Sequence, residues 1–368
     1  MGLTLQNVSK IVGGESHLCD INLDLESGSR NVLLGRTLAG KTSLLRIMAG
    51  LDRPTRGKIL VDGQDVTGVS VRKRSIAMVY QQFINYPSLT VYNNIASPLK
   101  LGGIPRKEID RRVHETAEML HLEDLLDRLP AQLSGGQQQR TAIARALVKD
   151  ARLLLLDEPL VNLDYKLREE LRVELQEIFR KRSAIVVYTT TEPSEALMLG
   201  GNIVLLDEGR VLQTGITAAV YQHPETLKAA EVFSDPPINA LNSRITGEGA
   251  FMGEDIGIPM NGHLAGLEKG SYQFAFRSNH LWLSSQKSSD IPIRGTVEMS
   301  EINGSETFVY VNHGNASFVV QQEGVHPFAM GRPITVYLDP ERLFVYDTDG
   351  RLVAAPMPPQ QGESNGPH

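Results

Sequence analysis

The sequence has a single cysteine, Cys19, among its 368 residues. One cysteine cannot close a disulfide within the chain or supply a cysteine-rich metal site, and this usage is typical of a reducing cytoplasm. Long apolar runs are also missing, since none approaches the roughly 20 residues that cross a bilayer, and no signal-peptide pattern follows Met1. We therefore expect that, if the protein acts at a membrane, it does so without entering the bilayer, by binding partner proteins.

Positive charge is not in excess either. The chain has 37 Lys and Arg residues against 43 Asp and Glu residues, which gives a net charge of −6. An acidic chain without a dense basic run has no electrostatic attraction for nucleic acid, so we expect no nucleic-acid partner. The length is sufficient for about two domains with a buried core.

Strand and helix patterns alternate through roughly the first 235 residues. Short continuous apolar runs, such as 153–156 and 184–188, are typical of buried parallel strands, whereas 87–150 has mainly helical periodicity. This alternation predicts an α/β fold with a mostly parallel sheet, beside which residues 3–8 and 21–25 form an antiparallel flap. We predict a first domain over 1–235, with a helical subdomain at about 87–150.

The sequence pattern changes near Asp235. From 236 to 353 it consists of short alternating strands separated by Gly and Asn turns, which predicts an all-β domain, a small barrel. The final stretch, 354–368, is rich in Pro, Gln and Gly. Such a composition predicts a disordered tail.

A G-x-x-x-x-G-K-T motif follows the apolar run 32–34 and precedes a helix-patterned segment. Backbone N–H groups of such a turn cradle phosphate oxygens, and the helix start adds partial positive charge. Lys41 would reach the β- and γ-phosphates of a nucleotide, and the Thr42 hydroxyl would hold Mg²⁺. A fortuitous glycine-rich turn is the alternative. The residues predicted to bind nucleotide here are Gly35, Arg36, Thr37, Leu38, Ala39, Gly40, Lys41, Thr42 and Ser43.

Two carboxylates, Asp157 and Glu158, follow the apolar run 153–156 directly. The C-terminal end of a buried strand is where an α/β sheet places ligand chemistry. Asp157 would hold Mg²⁺ opposite Thr42, and Glu158 would polarise the water that attacks the γ-phosphate, with Lys41 as the cationic member of the catalytic set. The alternative is that the two carboxylates cap a helix or lie in a solvated turn. The presence of a phosphate-loop motif upstream favours the nucleotide-binding interpretation over this alternative.

The segment 133–137, L-S-G-G-Q, precedes an apolar-faced helix pattern, and its glycines again present N–H groups to an anion. Together with the two preceding motifs it resembles the signature of ATP-binding-cassette (ABC) ATPases. The resemblance implies a RecA-like P-loop core and two cassettes that face head to tail. Each ATP then lies between one phosphate loop and the other chain's signature. The signature residues assigned to nucleotide binding are Ser134, Gly135, Gly136 and Gln137.

More of the chain, from 1 to about 353, resembles importer ATPases of the maltose and glycerol-3-phosphate type. Gln81 matches a glutamine that contacts Mg²⁺ and the attacking water. Phe83, Tyr86 and Pro87 match the surface that meets a transmembrane subunit, although core packing explains Phe83 equally well. The β-rich C-terminal segment resembles an oligonucleotide-binding-like (OB-like) regulatory domain. The run 80–87 looks most similar to ATPases of bacterial glycerol importers, which contain two different ATPase subunits.

The resemblance also implies ligands, partners and location. ATP and Mg²⁺ are the expected ligands. The expected partners are a second ABC ATPase subunit, two transmembrane permease subunits and, through the permeases, a periplasmic solute-binding protein. The chain would lie at the cytoplasmic face of a bacterial inner membrane. The cargo rests on resemblance alone, because this type of subunit does not touch it.

Departures from the family pattern concern the nucleotide held by the chain's own loop. Thr190, which we assign to nucleotide binding, stands where the family has a His that donates to the γ-phosphate. The loss of such a group commonly costs ~10²–10³ in rate. Val12 stands where an aromatic ring stacks on adenine, an interaction worth ~1–3 kcal/mol. Leu38 and Arg36 replace a glycine and a proline of the loop.

The signature, which serves the partner's nucleotide, is intact. We therefore predict an ATPase heterodimer in which the partner's site hydrolyses well and this chain's own site is slow. The alternatives are an ATP-binding regulatory subunit with little hydrolysis, and a homodimeric ATPase of a sugar or glycerol-3-phosphate importer.

Overall fold

The computed structural model describes residues 1–82, 84–161 and 163–357. Phe83 and the part of the predicted tail from 358 to 368 lie outside these ranges. The chain divides into two compact units, the first over Met1–Thr217 and the second beginning at Ala218. The two units are described separately below.

The described strands of the first unit form two sheets. One has the order β10-β9-β3-β8-β7-β6 and is parallel except for the β9–β10 hairpin; the other, β2-β1-β4-β5, is antiparallel. The predicted α/β fold with an antiparallel flap is confirmed. The strand bounds are β1 (Leu3–Val12), β2 (Glu15–Leu25), β3 (Arg30–Leu34), β4 (Arg56–Val61), β5 (Gln64–Asp65), β6 (Ile76–Val79), β7 (Leu153–Asp157), β8 (Ile185–Thr190), β9 (Asn202–Asp207) and β10 (Arg210–Ile216).

Helices of the first unit cover the parallel sheet and fill the helical segment. Three of them, α2 to α4, lie within the stretch 87–150 that has helical periodicity in the sequence. In the described ranges, no helix is long and apolar enough to cross a membrane. The helices are α1 (Lys41–Ala49), α2 (Val91–Leu101), α3 (Arg106–Met119), α4 (Gly135–Leu147), α5 (Tyr165–Arg180) and α6 (Pro193–Leu199), with 3-10 turns at Val71–Lys73, Glu123–Leu125 and Pro130–Gln132; α7 (Thr217–Gln222) begins at the division between the units.

The parallel strands are apolar because helices and the flap cover them. Every residue of β7 and β8 is buried, and Leu44 and Ile47 of α1 share one core with Leu155 of β7 and Val187 of β8. Since parallel strands end at the same edge, this core fixes the C-terminal ends of β3, β7 and β8 beside one another. The phosphate loop follows β3 at that edge.

The second unit consists mainly of antiparallel strands in two sheets, β13-β12-β11-β14-β20-β21 and β15-β19-β16-β17-β18, that share one apolar core. The all-β, barrel-like fold predicted for this part is confirmed. Its elements are α8 (Leu227–Val232), β11 (Asn239–Ile245), β12 (Ala250–Met252), β13 (Ile256–Ile258), β14 (Gly270–Phe276), β15 (Leu281–Trp282), β16 (Ile291–Asn303), β17 (Glu306–His313), β18 (Ala316–Glu323), β19 (Pro333–Leu338), β20 (Phe344–Tyr346) and β21 (Leu352–Ala354), with 3-10 turns at Gly262–Leu264, Ser278–His280 and Pro340–Arg342.

The domain boundary predicted at 235 falls inside the second unit. Residues just before it pack on the β-rich part: the Leu227 N–H donates to the Gly350 carbonyl at 2.9 Å, and Ala230 shares a small core with Phe344 and Tyr346. The predicted first domain, 1–235, therefore includes α8, which lies in the second unit, and the predicted boundary stays a prediction. The predicted tail begins inside β21, whose last residue is Ala354.

Candidate functional site

The phosphate loop joins β3 to α1 in a turn that requires glycine at both ends. Gly40 has φ 98°, in the left-handed region that favours glycine. A Cβ atom there would lie 2.9 Å from the His17 carbonyl oxygen, and one on Gly35 would lie 2.4 Å from the Leu206 oxygen. Neighbouring backbone therefore encloses the loop closely enough to fix its N–H groups, as a phosphate cradle needs.

Leu38 has a left-handed backbone conformation although it is not a glycine. Its φ is 68°, and its side chain is 95% exposed. A leucine in this region costs roughly 1–2 kcal/mol, yet the left-handed turn is kept and the side chain meets no packing partner. Arg36 and Thr37 are exposed beside it, whereas Ala39 is buried. Leu38 thus adds an exposed apolar side chain to the loop at a position with a left-handed backbone.

Lys41 is a buried ammonium with three acceptors. Its side chain is only 4% exposed, and Nζ lies 3.1 Å from Oε1 of Glu158. Nζ also donates to the carbonyl oxygens of Gly35 at 2.8 Å and Arg36 at 3.1 Å. Every N–H of this ammonium therefore has an oxygen partner, and the lysine is aimed back over the loop that it follows.

Asp157 ends β7 next to the start of α1. Its Oδ1 accepts hydrogen bonds from the Thr42 hydroxyl at 3.1 Å and the Thr189 hydroxyl at 3.0 Å. Burial raises the pKa of the Asp157 carboxyl above its ordinary value, and these two hydrogen bonds offset only part of the effect. A buried carboxylate paired with hydroxyls is a site that gains from a cation.

The Thr42 and Asp157 oxygens suit Mg²⁺. This cation prefers hard oxygen ligands, commonly one or two from the protein with the remainder from phosphate and water. Within the described part of the chain, no group of three or more His, Cys, Asp or Glu side chains is arranged to hold a metal. Two protein oxygens leave most of an Mg²⁺ coordination shell to other ligands, so Thr42 and Asp157 fit a cation that also binds phosphate and water.

Glu158 lies between Lys41 and Gln81. Its φ is 43°, an uncommon value for a residue with a side chain. Its Oε1 pairs with Lys41, and its Oε2 lies 3.5 Å from Nε2 of Gln81, a long contact. The structure thus brings together all three residues predicted to be catalytic. With one oxygen on a cation and the other near an exposed amide, Glu158 is placed to orient a water molecule.

Thr189 belongs to this site although the sequence reasoning did not select it. Its hydroxyl donates to Asp157 and accepts from the Glu158 N–H at 2.9 Å. The sequence does predict both β7 and β8 as buried parallel strands. In their register Asp157 faces Thr189, but register cannot be read from two isolated strands.

The Thr190 hydroxyl forms its hydrogen bonds with Glu195 and Glu192 rather than with the phosphate loop. Thr190 is 3% exposed, and its hydroxyl donates to Oε2 of Glu195 at 2.6 Å and accepts from the Glu192 N–H at 3.0 Å. Only its carbonyl contacts the loop, by accepting from the Gly35 N–H at 3.4 Å. The predicted contact of Thr190 with nucleotide stays a prediction, and in this structure its hydroxyl is buried against the Glu195 carboxylate.

The signature residues form an exposed helix start. The Ser134 hydroxyl accepts from the Gln137 N–H at 3.3 Å, and the Gln137 side chain accepts from the Ser134 N–H at 3.0 Å, which completes a capping box. A Cβ on Gly136 would lie 2.8 Å from Cδ1 of Leu167, so glycine permits α4 to pack on α5. Ser134 and Gly135 are exposed, which leaves the cap free to meet another molecule.

Three other predicted positions lie on the surface. Val12 ends β1, opposite Glu15, and is 48% exposed; its contact with a base stays a prediction. Tyr86 is 47% exposed, with the Arg145 guanidinium carbon 5.0 Å from its ring centre. Pro87 follows it and is also exposed. This surface is available to a partner, as the predicted coupling role requires.

A glycine-framed phosphate loop with a buried lysine, a hydroxyl–carboxylate pair and a capped signature helix are the parts of an ABC ATPase. Comparison with known proteins agrees. Residues 18–161 match the family described as "ABC transporter", and residues 274–345 match the "TOBE domain".

Relatives that match over nearly their whole length narrow the assignment. The chain is 35% identical to the sn-glycerol-3-phosphate import ATP-binding protein UgpC of Escherichia coli (strain K12), covering 94% of this chain and 98% of that protein. It is also 35% identical to the trehalose/maltose import ATP-binding protein MalK of Thermococcus litoralis, covering 96% and 99%. The chain belongs to this family of ABC-transporter ATPases.

A solved structure supports the fold of the first unit. It is described as the dimeric structure of a post-hydrolysis state of the ATP-binding cassette MJ0796 bound to ADP and Pi. The similarity has a TM-score of 0.53 at 32% identity and covers 58% of this chain and 98% of that one. The protein described here is accordingly an ATP hydrolase of the ABC-transporter type.

Proposed function

We propose that this chain is the ATPase subunit that energises import of a small polyol or sugar-like solute, with glycerol as the favoured cargo. The observation that carries the proposal is the convergence of Lys41, Thr42, Asp157 and Glu158 at one sheet edge, with contacts of 3.1 Å for Lys41–Glu158 and Thr42–Asp157. Relatives with import names support the transport role, and resemblance alone supports glycerol.

In the proposed reaction, the backbone N–H groups of 35–42 and the Lys41 ammonium hold the β- and γ-phosphates. Thr42 and Asp157 would hold Mg²⁺, which neutralises charge that develops on the phosphates. Glu158 accepts a proton from, or orients, the attacking water, and Gln81 lies beside it. Because Lys41 pairs with Glu158 at 3.1 Å, phosphates that bind Lys41 must displace Glu158 from it.

We also propose that the chain works with a second, different cassette and that its own site is the slower one. The exposed cap at Ser134 would close on the partner's nucleotide. Three features of the chain's own site differ from the family pattern. Leu38 replaces a glycine of the loop, and Val12 replaces the aromatic residue that stacks on adenine. No histidine is present at the end of β8. Two transmembrane permeases, met by the surface around Tyr86 and Pro87, and a periplasmic binding protein complete the proposed assembly at the inner face of the membrane.

ATP hydrolysis by the purified chain alone tests the asymmetry. We expect Mg²⁺-dependent binding of ATP with slow turnover, further reduced by Glu158→Gln. Robust turnover by the isolated chain would contradict the slow-site proposal and favour a homodimeric ATPase. Transport by the assembled importer that is unaffected by Glu158→Gln would instead favour a regulatory, nucleotide-holding role.

A further inference from the structure

Arg277, which directly follows β14, is a buried cation of the second unit. The residue is 5% exposed. Its guanidinium carbon lies 3.7 Å from the ring centre of Tyr221 on α7 and 5.1 Å from that of Phe344 on β20. Its Nη2 donates to the Tyr221 carbonyl oxygen at 2.7 Å. Two aromatic rings and one carbonyl therefore hold the guanidinium in a fixed place.

This guanidinium lacks the counter-ion that a buried charge normally has. Among the described residues, its Nε is buried without a hydrogen-bond partner, and no carboxylate forms an ion pair with it. Burial lowers the pKa of Arg277 below its ordinary value, and no nearby carboxylate offsets this effect. Because buried charges in proteins are usually paired, an anion beside Arg277 would be favoured.

Arg277 lines a cavity that is large enough for a small molecule. The cavity has a volume of about 330 Å³, and all of the residues that line it belong to the second unit. Such a volume is at the lower end of the range of small-molecule sites. Phe344 and Met357 give the wall apolar surface, and Met357, which is 74% exposed, lies where the cavity meets solvent.

The other charged residues of the cavity balance one another. Lys287 Nζ lies 3.0 Å from Oδ2 of Asp339 and 3.1 Å from Oε2 of Glu341. Arg342 Nε lies 3.7 Å from the same Asp339 oxygen. Two cations thus neutralise two carboxylates, and Arg277 leaves one positive charge in excess.

His280 brings a second polar atom without a partner to the same cavity. Burial, together with the neighbouring arginine charges, lowers the pKa of His280 to about 3, so the imidazole is neutral at neutral pH. Its Nδ1 is buried, with no hydrogen-bond partner in the described part of the chain. A neutral ring nitrogen can donate or accept a hydrogen bond, so His280 offers a directional contact in the cavity that Arg277 lines.

We propose that this cavity binds a small organic anion, whose carboxylate or phosphate oxygens pair with Arg277 while the rest of the molecule contacts His280 and Phe344. The guanidinium fork matches the paired oxygens of both groups, and one negative charge neutralises the excess. None of the residues assigned to nucleotide binding lines this cavity. The site is therefore a second ligand site, and the proposal does not depend on the transport function.

Trp282 makes such binding measurable in the full-length chain. It is the single tryptophan of the sequence, and the guanidinium carbon of Arg342, which lines the cavity, lies 5.3 Å from its ring centre. Tryptophan fluorescence is titrated with inorganic phosphate and, separately, with acetate, and chloride at equal ionic strength controls for salt effects. We expect a saturable change with a dissociation constant on the order of 1 mM. The anion that binds more tightly shows whether phosphate or carboxylate is the recognised group.

Substitutions locate the response. Arg277→Gln removes the charge and should raise the dissociation constant at least about tenfold, and Arg277→Lys, which keeps the charge without the fork, should raise it about three- to tenfold. Arg244→Gln is the matched control, because Arg244 is an exposed arginine of β11 whose guanidinium carbon lies 5.9 Å from the Phe251 ring centre. In Lys41→Ala, which weakens phosphate binding at the loop, the response should be the same as in wild type.

The inference is overturned if neither anion produces a saturable change in wild type. It is also overturned if the response disappears in Lys41→Ala, since the anion then binds at the phosphate loop, or if both Arg277 variants bind as wild type does. Should Arg277→Gln fail to fold, Arg277→Lys still decides. A lower Tm of the Arg277 variants without any anion response in wild type would show that Arg277 only joins α7 to the β-rich part.

Discussion

Replacing Glu158 with glutamine tests the ion pair at the centre of the site. Lys41 and Glu158 have side chains that are 4% and 16% exposed, with their charged atoms 3.1 Å apart. Breaking a buried pair typically costs 3–5 kcal/mol when one charge is left unpaired. Here Lys41 keeps two carbonyl acceptors and a glutamine oxygen remains nearby, so we expect a loss of about 1–2 kcal/mol.

The same substitution should change stability and ATP affinity in opposite directions. For a unit of this size, about 1–2 kcal/mol corresponds to a decrease in Tm of about 2–8 °C without nucleotide. In wild type, phosphates that bind Lys41 must displace Glu158, whereas in the variant they do not. We therefore expect Glu158→Gln to bind ATP about 5- to 30-fold more tightly, while hydrolysis falls by about 10²-fold or more.

Differential scanning fluorimetry and a fluorescent-ATP titration measure these two effects. Glu115→Gln is the matched control, because Glu115 pairs with Arg111 at 2.6 Å but is 53% exposed. Exposed pairs of this kind contribute well under ~1 kcal/mol, so neither measurement should change. A Glu158→Gln protein with wild-type Tm and wild-type ATP affinity would refute the claim that the buried pair stabilises the nucleotide-free site.

Three further changes probe other parts of the site. Burial raises the pKa of Asp157, so ionisation of this carboxyl lowers the stability of the fold as pH rises through that pKa. Asp157→Asn should therefore raise Tm at neutral pH by about 2–4 °C, and this gain should disappear at acid pH below the ordinary Asp range. The same variant should lose the Mg²⁺-dependent stabilisation by ATP. Leu38→Gly relieves a left-handed leucine and should stabilise the loop by about 0.5 kcal/mol in urea unfolding; a clear loss would show that the exposed leucine packs on something. Ser134→Ala removes the cap of α4 and should cost about 1 kcal/mol in the same assay, whereas an unchanged midpoint would contradict the capping role.

Much of the fold follows from local signals in the sequence. Continuous apolar runs at 153–156 and 184–188 predicted buried parallel strands, and both lie in the central sheet as β7 and β8. The phosphate loop was also predicted from its sequence motif. The structure explains the two glycines of that motif, because a Cβ on Gly35 or Gly40 would collide with neighbouring backbone. Patterns that depend on near neighbours were therefore sufficient for the core and the loop.

Features that depend on how distant elements meet were harder to predict. Thr189 and Thr190 are adjacent in a T-T-T run, but one contacts Asp157 and the other Glu195. Which hydroxyl faces which side depends on the register of β8 against β7 and on α6, and neither is visible in the run itself. The extent of each domain depends on distant contacts as well, because α8 precedes the predicted boundary at 235 and packs with Phe344 and Tyr346 of the second unit.

We propose that ATP hydrolysis at these residues drives solute uptake. ATP-dependent uptake of labelled glycerol, measured in membrane vesicles that contain the assembled importer, tests it most directly. We expect wild-type vesicles to accumulate glycerol only when ATP is supplied, and vesicles carrying Glu158→Gln in this chain to accumulate measurably less, because turnover at the slower site still contributes to uptake. Equal uptake by the two, or accumulation that does not depend on ATP, would contradict the account.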